Sequence, residues 1–175
     1  MADKASNWVP LTNEKLYFAQ IALSFFEEEQ AKSSVFSQNR LVALEESAVA
    51  HLYNAYVGLL CELAAEHNVP FQSETLTLNQ LNDALMKRDD GRREIAELLN
   101  LLAEPNSWLS RLHQSYRNRF VAKQKKSEYI GEEPELVSLI AIDVTEQEPE
   151  GLNLLDAHQA MKQLVEQVRS YRLED

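Results

Sequence analysis

The feature that most limits the fold of this sequence is a long apolar stripe between residues 38 and 66. Apolar side chains recur there every three or four residues, which is the period of one face of an α-helix. The stripe consists of Leu41, Leu44, Ala48, Leu52, Ala55 or Tyr56, Leu59 and Leu63. Such a helix would be about 43 Å long at 1.5 Å per residue, so we expect it to form the centre of the core.

The same period predicts an N-terminal helix over residues 12–32. Thr12 or Asn13 is expected to cap its first turn by accepting hydrogen bonds from free amides. The expected core positions are Leu16, Ala19, Ile21, Leu23 and Phe26, with Tyr17, Phe18, Ala22 and Phe25 widening the buried face.

Three shorter helices are predicted between Pro70 and residue 126. Thr77 and Gln80 fit a capping box, and Leu76 and Leu81 fit a hydrophobic staple, so one helix begins near residue 78. A second ends before Pro105, and the third begins after Asn106 or Ser107. Expected core positions in these last two helices are Ile95, Leu98, Leu99 and Leu102, then Trp108, Leu112, Tyr116 and Phe120.

The chain beyond residue 126 is predicted to be less regular. Residues 128–151 are acidic and contain ELVSLIAIDV, whose β-branched side chains favour a short extended arm over 136–144. A last amphipathic helix covers residues 154–172. Because the arm would expose a strand edge, we expect it to pair with itself in a homodimer.

Composition favours a single helical domain. The sequence has 175 residues but only 4 glycines and 5 prolines, too few for the turns of an all-β fold. We therefore expect an all-α bundle of five to six helices over residues 1–175, with its core in 12–126. One cysteine, no signal peptide and no apolar run of about 18 residues predict a cytoplasmic protein without membrane contact.

Charge is distributed unevenly along the chain. The net charge is -11, yet residues 105–127 contain six basic and no acidic residues, whereas residues 128–156 contain nine acidic and no basic residues. The basic stretch could bind a partner protein, bind nucleic acid, or be neutralised by the acidic segment. Its candidate binding residues are Arg111, His113, Tyr116, Arg117, Arg119 and Lys123.

A second candidate site is a cleft between helices, lined by His51, Tyr53 and Tyr56. These side chains combine an apolar ring with a polar atom and can also be ordinary core residues.

Catalytic and metal-binding patterns are lacking in the sequence. No Glu is followed by His three residues later, and there is no phosphate-binding loop or dinucleotide motif. Cys61 lies beside the apolar stripe, where a buried, unreactive thiol is expected. We therefore expect a non-catalytic protein without cofactor or metal.

Four segments together resemble a family of short, uncharacterised bacterial proteins with a helical domain of unknown function. They are KLYFAQIALSF, ESAVAHLYNAYVGLLCELA, LTLNQL and EPNSWL. This resemblance implies a helical fold and bacterial cytosol, and nothing about chemistry. The basic stretch and the lack of catalytic patterns lead us to expect a protein-interaction module. The alternative is an RNA-directed bundle similar to HEPN nucleases or toxin-antitoxin components, although Arg111 and His113 lack the R-x4-6-H spacing of the nucleases.

Overall fold

The computed structural model describes residues 7–32, 37–120 and 152–171, which form six α-helices and no strand. The predicted all-α class is thereby confirmed, whereas the extended arm predicted at 136–144 lies outside the described residues. The helices are α1 (Val9–Ala31), α2 (Ser37–Glu66), α3 (Leu78–Met86), α4 (Arg93–Ala103), α5 (Trp108–Asn118) and α6 (Leu154–Tyr171).

The largest interface in the fold lies between α1 and α2. The two helices lie close together at Gly58 of α2, where a Cβ atom would lie 2.6 Å from Thr12 Oγ1 and 3.3 Å from Thr12 Cα. Thr12 is completely buried. Since ordinary side chains need more room than this, the two helix backbones approach as closely as they do only because residue 58 is glycine.

The start of α1 differs from the prediction. The helix begins at Val9, with Trp8 at the N-cap position and Pro10 in the first turn. Thr12 is therefore not the cap: it lies inside the helix, and its Oγ1 donates a hydrogen bond to the Trp8 carbonyl oxygen at 3.3 Å. The sequence analysis overlooked Pro10 as a sign of the helix start. Proline has no backbone N–H, so it fits the first turn of a helix, where the amides have no partner within the helix.

The buried face of α1 is narrower than predicted. Leu16, Ala19, Ala22 and Leu23 are buried, but the aromatic side chains expected to widen this face are largely outside it. Rotation by 100° per residue places these aromatic side chains on the side of the helix opposite Thr12 and Leu23. The exposed fractions are 60% for Tyr17, 37% for Phe18 and 52% for Phe25.

The predicted central stripe of α2 is confirmed from Ala48 to Leu63, while Leu41 and Leu44 are half-buried. By length and composition alone α2 could span a membrane, which the sequence analysis did not anticipate. However, 72% of its most apolar 18-residue window is buried inside the fold, as in the core helix of a bundle.

The predicted boundary of α3 is confirmed. The backbone N–H of Thr77 donates to Gln80 Oε1 at 2.9 Å, and the backbone N–H of Gln80 donates to Thr77 Oγ1 at 3.3 Å. This reciprocal pair is the capping box expected from the sequence.

The cap of α5 is Ser107, whose Oγ accepts a hydrogen bond from the Ser110 N–H at 3.0 Å. The residues on the core-facing side of α5 were predicted only in part. Leu109 and Leu112 are completely buried, but Phe120 follows the C-cap and is 74% exposed. The prediction that Phe120 faces the core is wrong because the helix ends before it.

A buried ion pair attaches α6 to the α1–α2 pair. Arg169 Nε and Nη2 donate to the two oxygens of Glu62 at 3.0 and 2.8 Å, and Arg169 Nη1 donates to Asn13 Oδ1 at 3.0 Å. The Glu62 side chain is completely buried. Because a buried carboxylate requires compensation, α6 docking is coupled to the apolar core around Glu62.

Replacing Gly58 with Ala should destabilise the protein by about 1–3 kcal/mol, because the new methyl group would overlap Thr12. Alanine's higher helix propensity, about 1 kcal/mol over glycine, offsets only part of this cost. The control is Gly91→Ala, where an added Cβ meets nothing within 4 Å. Urea unfolding measures both, and equal stability of the two variants would refute the close approach.

Replacing Arg169 with Met should lower the free energy of unfolding by about 3 kcal/mol, because Glu62 would stay buried without its cation. Arg93→Met removes a pair with Glu97 in which the arginine is 72% exposed, together with the contact of Arg93 with the Tyr171 ring, and the cost should be about 1 kcal/mol. Adding Glu62→Met to Arg169→Met should restore stability. If Arg169→Met and Arg93→Met lower the free energy of unfolding equally, the buried pair contributes no more to stability than the pair of Arg93 and Glu97.

Candidate functional site

An aromatic cluster joins α2 to α5 and brings together residues from both predicted sites. It consists of Tyr53 and Tyr56 of α2 with His113 and Tyr116 of α5, and we call it the tyrosine–histidine cluster. In each helix the two residues are three apart, a spacing that places both on one face. The cluster is therefore formed where two such faces meet.

The rings of the cluster are in direct contact. Tyr53 and Tyr116 stack with centroids 3.8 Å apart and planes inclined by 10°. The His113 ring meets Tyr53 and Tyr56 edge-on, at centroid distances of 5.0 and 4.8 Å. Such aromatic pairs contribute about 0.5–1.5 kcal/mol each beyond their buried area, so they fix the position of α5 on α2.

Two buried polar atoms of this cluster lack a hydrogen-bond partner within the described residues. They are the Tyr56 hydroxyl oxygen and His113 Nε2. Tyr56 is only 2% exposed. Both residues line one cavity of about 240 Å³, whose other lining residues are Tyr53, Leu60, Leu76, Thr77, Leu78, Asn79 and Leu102.

Burial keeps both groups uncharged at neutral pH. Desolvation lowers the pKa of His113 below its usual 6.5, and the positive charge of Arg117 lowers it further. Burial likewise raises the pKa of Tyr56, with a smaller effect from Tyr53. The cavity therefore offers neutral hydrogen-bonding groups, without a charged side chain in its lining.

An exposed surface containing two arginines lies beyond the cluster, at the end of α5. It consists of Tyr116, Arg117, Arg119 and Phe120, and we call it the arginine surface. The Arg119 guanidinium lies 4.3 Å from the Tyr116 ring centroid and 5.5 Å from that of Phe120. Arg119 Nη1 also donates a hydrogen bond to the backbone oxygen of Glu46 at 2.9 Å. These contacts hold the exposed Phe120 ring, the half-buried Tyr116 ring and the guanidinium in a fixed arrangement.

The other basic residues predicted to bind a partner differ in burial. Arg111 is half-buried, and its Nη2 donates to Asn106 Oδ1 at 3.4 Å. Arg117 is exposed. Within residues 7–32, 37–120 and 152–171, neither of these arginines nor Arg119 forms an ion pair. Lys123 lies outside the described residues.

His51 is separate from the tyrosine pair with which it was grouped. Its ring meets Phe18 of α1 edge-on at a centroid distance of 5.4 Å. Burial lowers its pKa, and Lys15 adds to this effect. The physical reason is helix geometry, since two residues of separation place His51 and Tyr53 about 200° apart around α2.

The described residues show no metal-binding group, and the thiol of Cys61 is not activated. No three His, Cys, Asp or Glu side chains among them come close enough to hold a metal ion. Cys61 is buried, and burial, with smaller contributions from Glu74 and Glu62, raises the pKa of its thiol to about 12. A thiol of this kind is a poor nucleophile at neutral pH.

Comparison with known proteins identifies a matching family, but it assigns no activity. A model of a family of unknown function, DUF6586, matches residues 7–174. The chain belongs to DUF6586. This assignment confirms the expected resemblance to a family of unknown function that covers most of the chain. Neither the curated proteins nor the solved structures provide a significant match. The function of this DUF6586 protein must therefore be inferred from its own surfaces and cavities.

Acid should weaken the fold of this DUF6586 protein through His113. Because the folded pKa is below the unfolded value of 6.5, the unfolded state binds protons more readily between those two pH values. The contribution of His113 to stability is complete above the unfolded pKa and is lost as pH falls toward the folded pKa.

The measurement is the free energy of urea unfolding at several pH values between about 7.5 and 5, the range in which histidine titrates. The variant His113→Gln should show a smaller loss across this interval than the unmodified chain. Parallel pH profiles for the two proteins would contradict the assigned role of His113.

Proposed function

We propose that this chain is a non-catalytic, cytoplasmic protein-interaction module and that its arginine surface is the binding site. The partner segment would combine an aromatic or aliphatic side chain with acidic residues. The observation that carries this proposal is the exposed ring of Phe120, held beside Tyr116 and Arg119. Contiguous apolar patches rimmed by polar residues often mark interaction sites, and Phe120, 74% exposed, forms such a patch with the neighbouring Tyr116 ring.

The composition of the arginine surface supports a protein partner. Tyr, Phe and Arg are enriched at protein interfaces, and Tyr and Arg are among the residues that most often dominate binding energy. Arg119 is fixed before binding by stacking on Tyr116 and by its hydrogen bond to the α2 backbone. Binding would therefore lose little conformational entropy in this side chain.

The charge of this surface supports an acidic partner segment. Arg117 and Arg119 have no carboxylate partner within the described part of the chain. Charges at the rim of an interface accelerate association and select partners of opposite sign. The chain's own residues 128–156, with nine acidic and no basic side chains, have suitable chemistry and are the competing occupant.

The described residues give less support to the RNA-directed alternative. Binding a phosphate backbone requires several cations that can reach successive phosphates. Here Arg117 is exposed, whereas Arg111 is half-buried beside Asn106 and Arg119 is stacked on two rings. This distribution favours one compact protein contact over an extended basic track. Homodimer formation through residues 136–144 stays a separate prediction.

The double variant Arg117→Glu with Phe120→Ala should weaken partner binding at least about 30-fold, since interface anchors contribute about 2 kcal/mol or more. Its melting temperature should not change, because both side chains are exposed. The matched control is Lys87→Glu with Met86→Ala, which alters an exposed cation and an exposed apolar side chain at the end of α3. Proteins recovered by affinity purification from native cells are purified and titrated calorimetrically against all three forms.

Each alternative occupant gives a different result in this experiment. Recovery of RNA that is lost at high salt would support the RNA-directed function instead. Saturable binding of a synthetic peptide of residues 128–156 to the arginine surface, without any recovered protein, would make the surface an internal contact. If one recovered protein binds all three forms equally, the arginine surface is not its docking site.

A further inference from the structure

The cavity beneath the tyrosine–histidine cluster has the properties of a small-molecule site. We propose that it binds a small neutral molecule with an apolar body and one polar group that both donates and accepts hydrogen bonds, such as a primary carboxamide. Tyr56 and His113 would hold this polar group, and the leucines of the cavity would contact the body. This site is separate from the arginine surface and does not depend on the function proposed for it.

The two unpartnered polar atoms are the main reason for this proposal. Buried hydroxyl and imidazole groups in folded proteins nearly always have a hydrogen-bond partner, because leaving one unpaired is costly. Tyr56 belongs to α2 and His113 to α5, and both residues line the same cavity, with the two unpartnered atoms almost fully covered by the surrounding protein. Two unpaired groups from different helices at one cavity indicate a shared missing partner.

The hydrogen-bonding capacity of these groups defines the polar end of the ligand. The hydroxyl of Tyr56 is protonated at neutral pH and can donate to a ligand oxygen. His113 Nε2 accepts a hydrogen bond when the proton is on Nδ1 and donates in the other tautomer. A carboxamide offers a carbonyl oxygen and N–H groups side by side, so it satisfies Tyr56 and either tautomer of His113.

The remaining lining defines the body and the charge of the ligand. Leu60, Leu76 and Leu102 provide apolar contact, and none of the lining residues carries a full charge at neutral pH. The lining therefore offers no opposite charge to an ionic ligand, and its leucines favour a neutral apolar body. The volume of about 240 Å³ equals that of about eight water molecules, which suits a compact molecule containing a single ring.

Benzamide is the probe for the proposed site, with benzoate and toluene as matched controls for charge and for loss of the polar group. We expect benzamide to bind with a Kd on the order of 1 mM, given its size. Benzoate and toluene should each bind at least about tenfold more weakly. Binding is measured by NMR, from the shifts of the His113 ring resonances during titration.

Tyr56→Phe removes only the unpartnered hydroxyl, so it should weaken benzamide binding about tenfold while the melting temperature stays the same or rises. Tyr17→Phe is the control, because that hydroxyl is on the exposed side of α1. Leu102→Phe is a second variant, which should reduce binding by filling the cavity.

Three results would overturn the proposal. They are no saturable shift of the His113 resonances with benzamide, equal benzamide affinity of Tyr56→Phe and the unmodified chain, and a lower melting temperature of Tyr56→Phe. The last result would show that water already satisfies the hydroxyl. These outcomes are independent of partner binding at the arginine surface, so either proposal can fail alone.

Discussion

The contact between Gly58 and Thr12 is the constraint on which the other helices depend. It allows α1 and α2 to lie close together, so that one side of α2 is covered by a single neighbouring helix. The other sides of α2 are then free to receive α5 through Tyr53 and Tyr56, and α6 through Glu62. A larger residue at position 58 would displace the helix against which all later elements are positioned.

Local signals in the sequence were sufficient for much of the fold. The capping box of Thr77 and Gln80 and the apolar stripe of α2 depend on residues a few positions apart, so they could be predicted without tertiary information. The exposed side of α1 could not be derived in this way, because Phe25 is as apolar as Leu16 and Tyr17 also has a large apolar ring. Which side is buried depends on where α2 and α6 lie.

In the candidate site, too, some features depend on nearby residues and others depend on residues far apart in the chain. The three-residue spacing of Tyr53 and Tyr56, and of His113 and Tyr116, could have indicated two aromatic faces. Their contact joins residues far apart in the chain, and periodicity carries no information about which faces meet. Helix geometry alone could have separated His51 from Tyr53, whereas the unpaired hydroxyl of Tyr56 could be recognised only after its surroundings were known.

The buried pair of Glu62 and Arg169 also joins parts of the chain that are far apart in sequence. The two residues are 107 positions apart, whereas α1 and α2 follow each other directly in the chain. Contacts between neighbouring helices form fast, and contacts that close long loops form later. We therefore expect the contact between α1 and α2 to form before the contact between Glu62 and Arg169. Arg169 of this 18-residue helix contacts Asn13 and Glu62 at once, so its binding site is complete only when α1 and α2 are packed together.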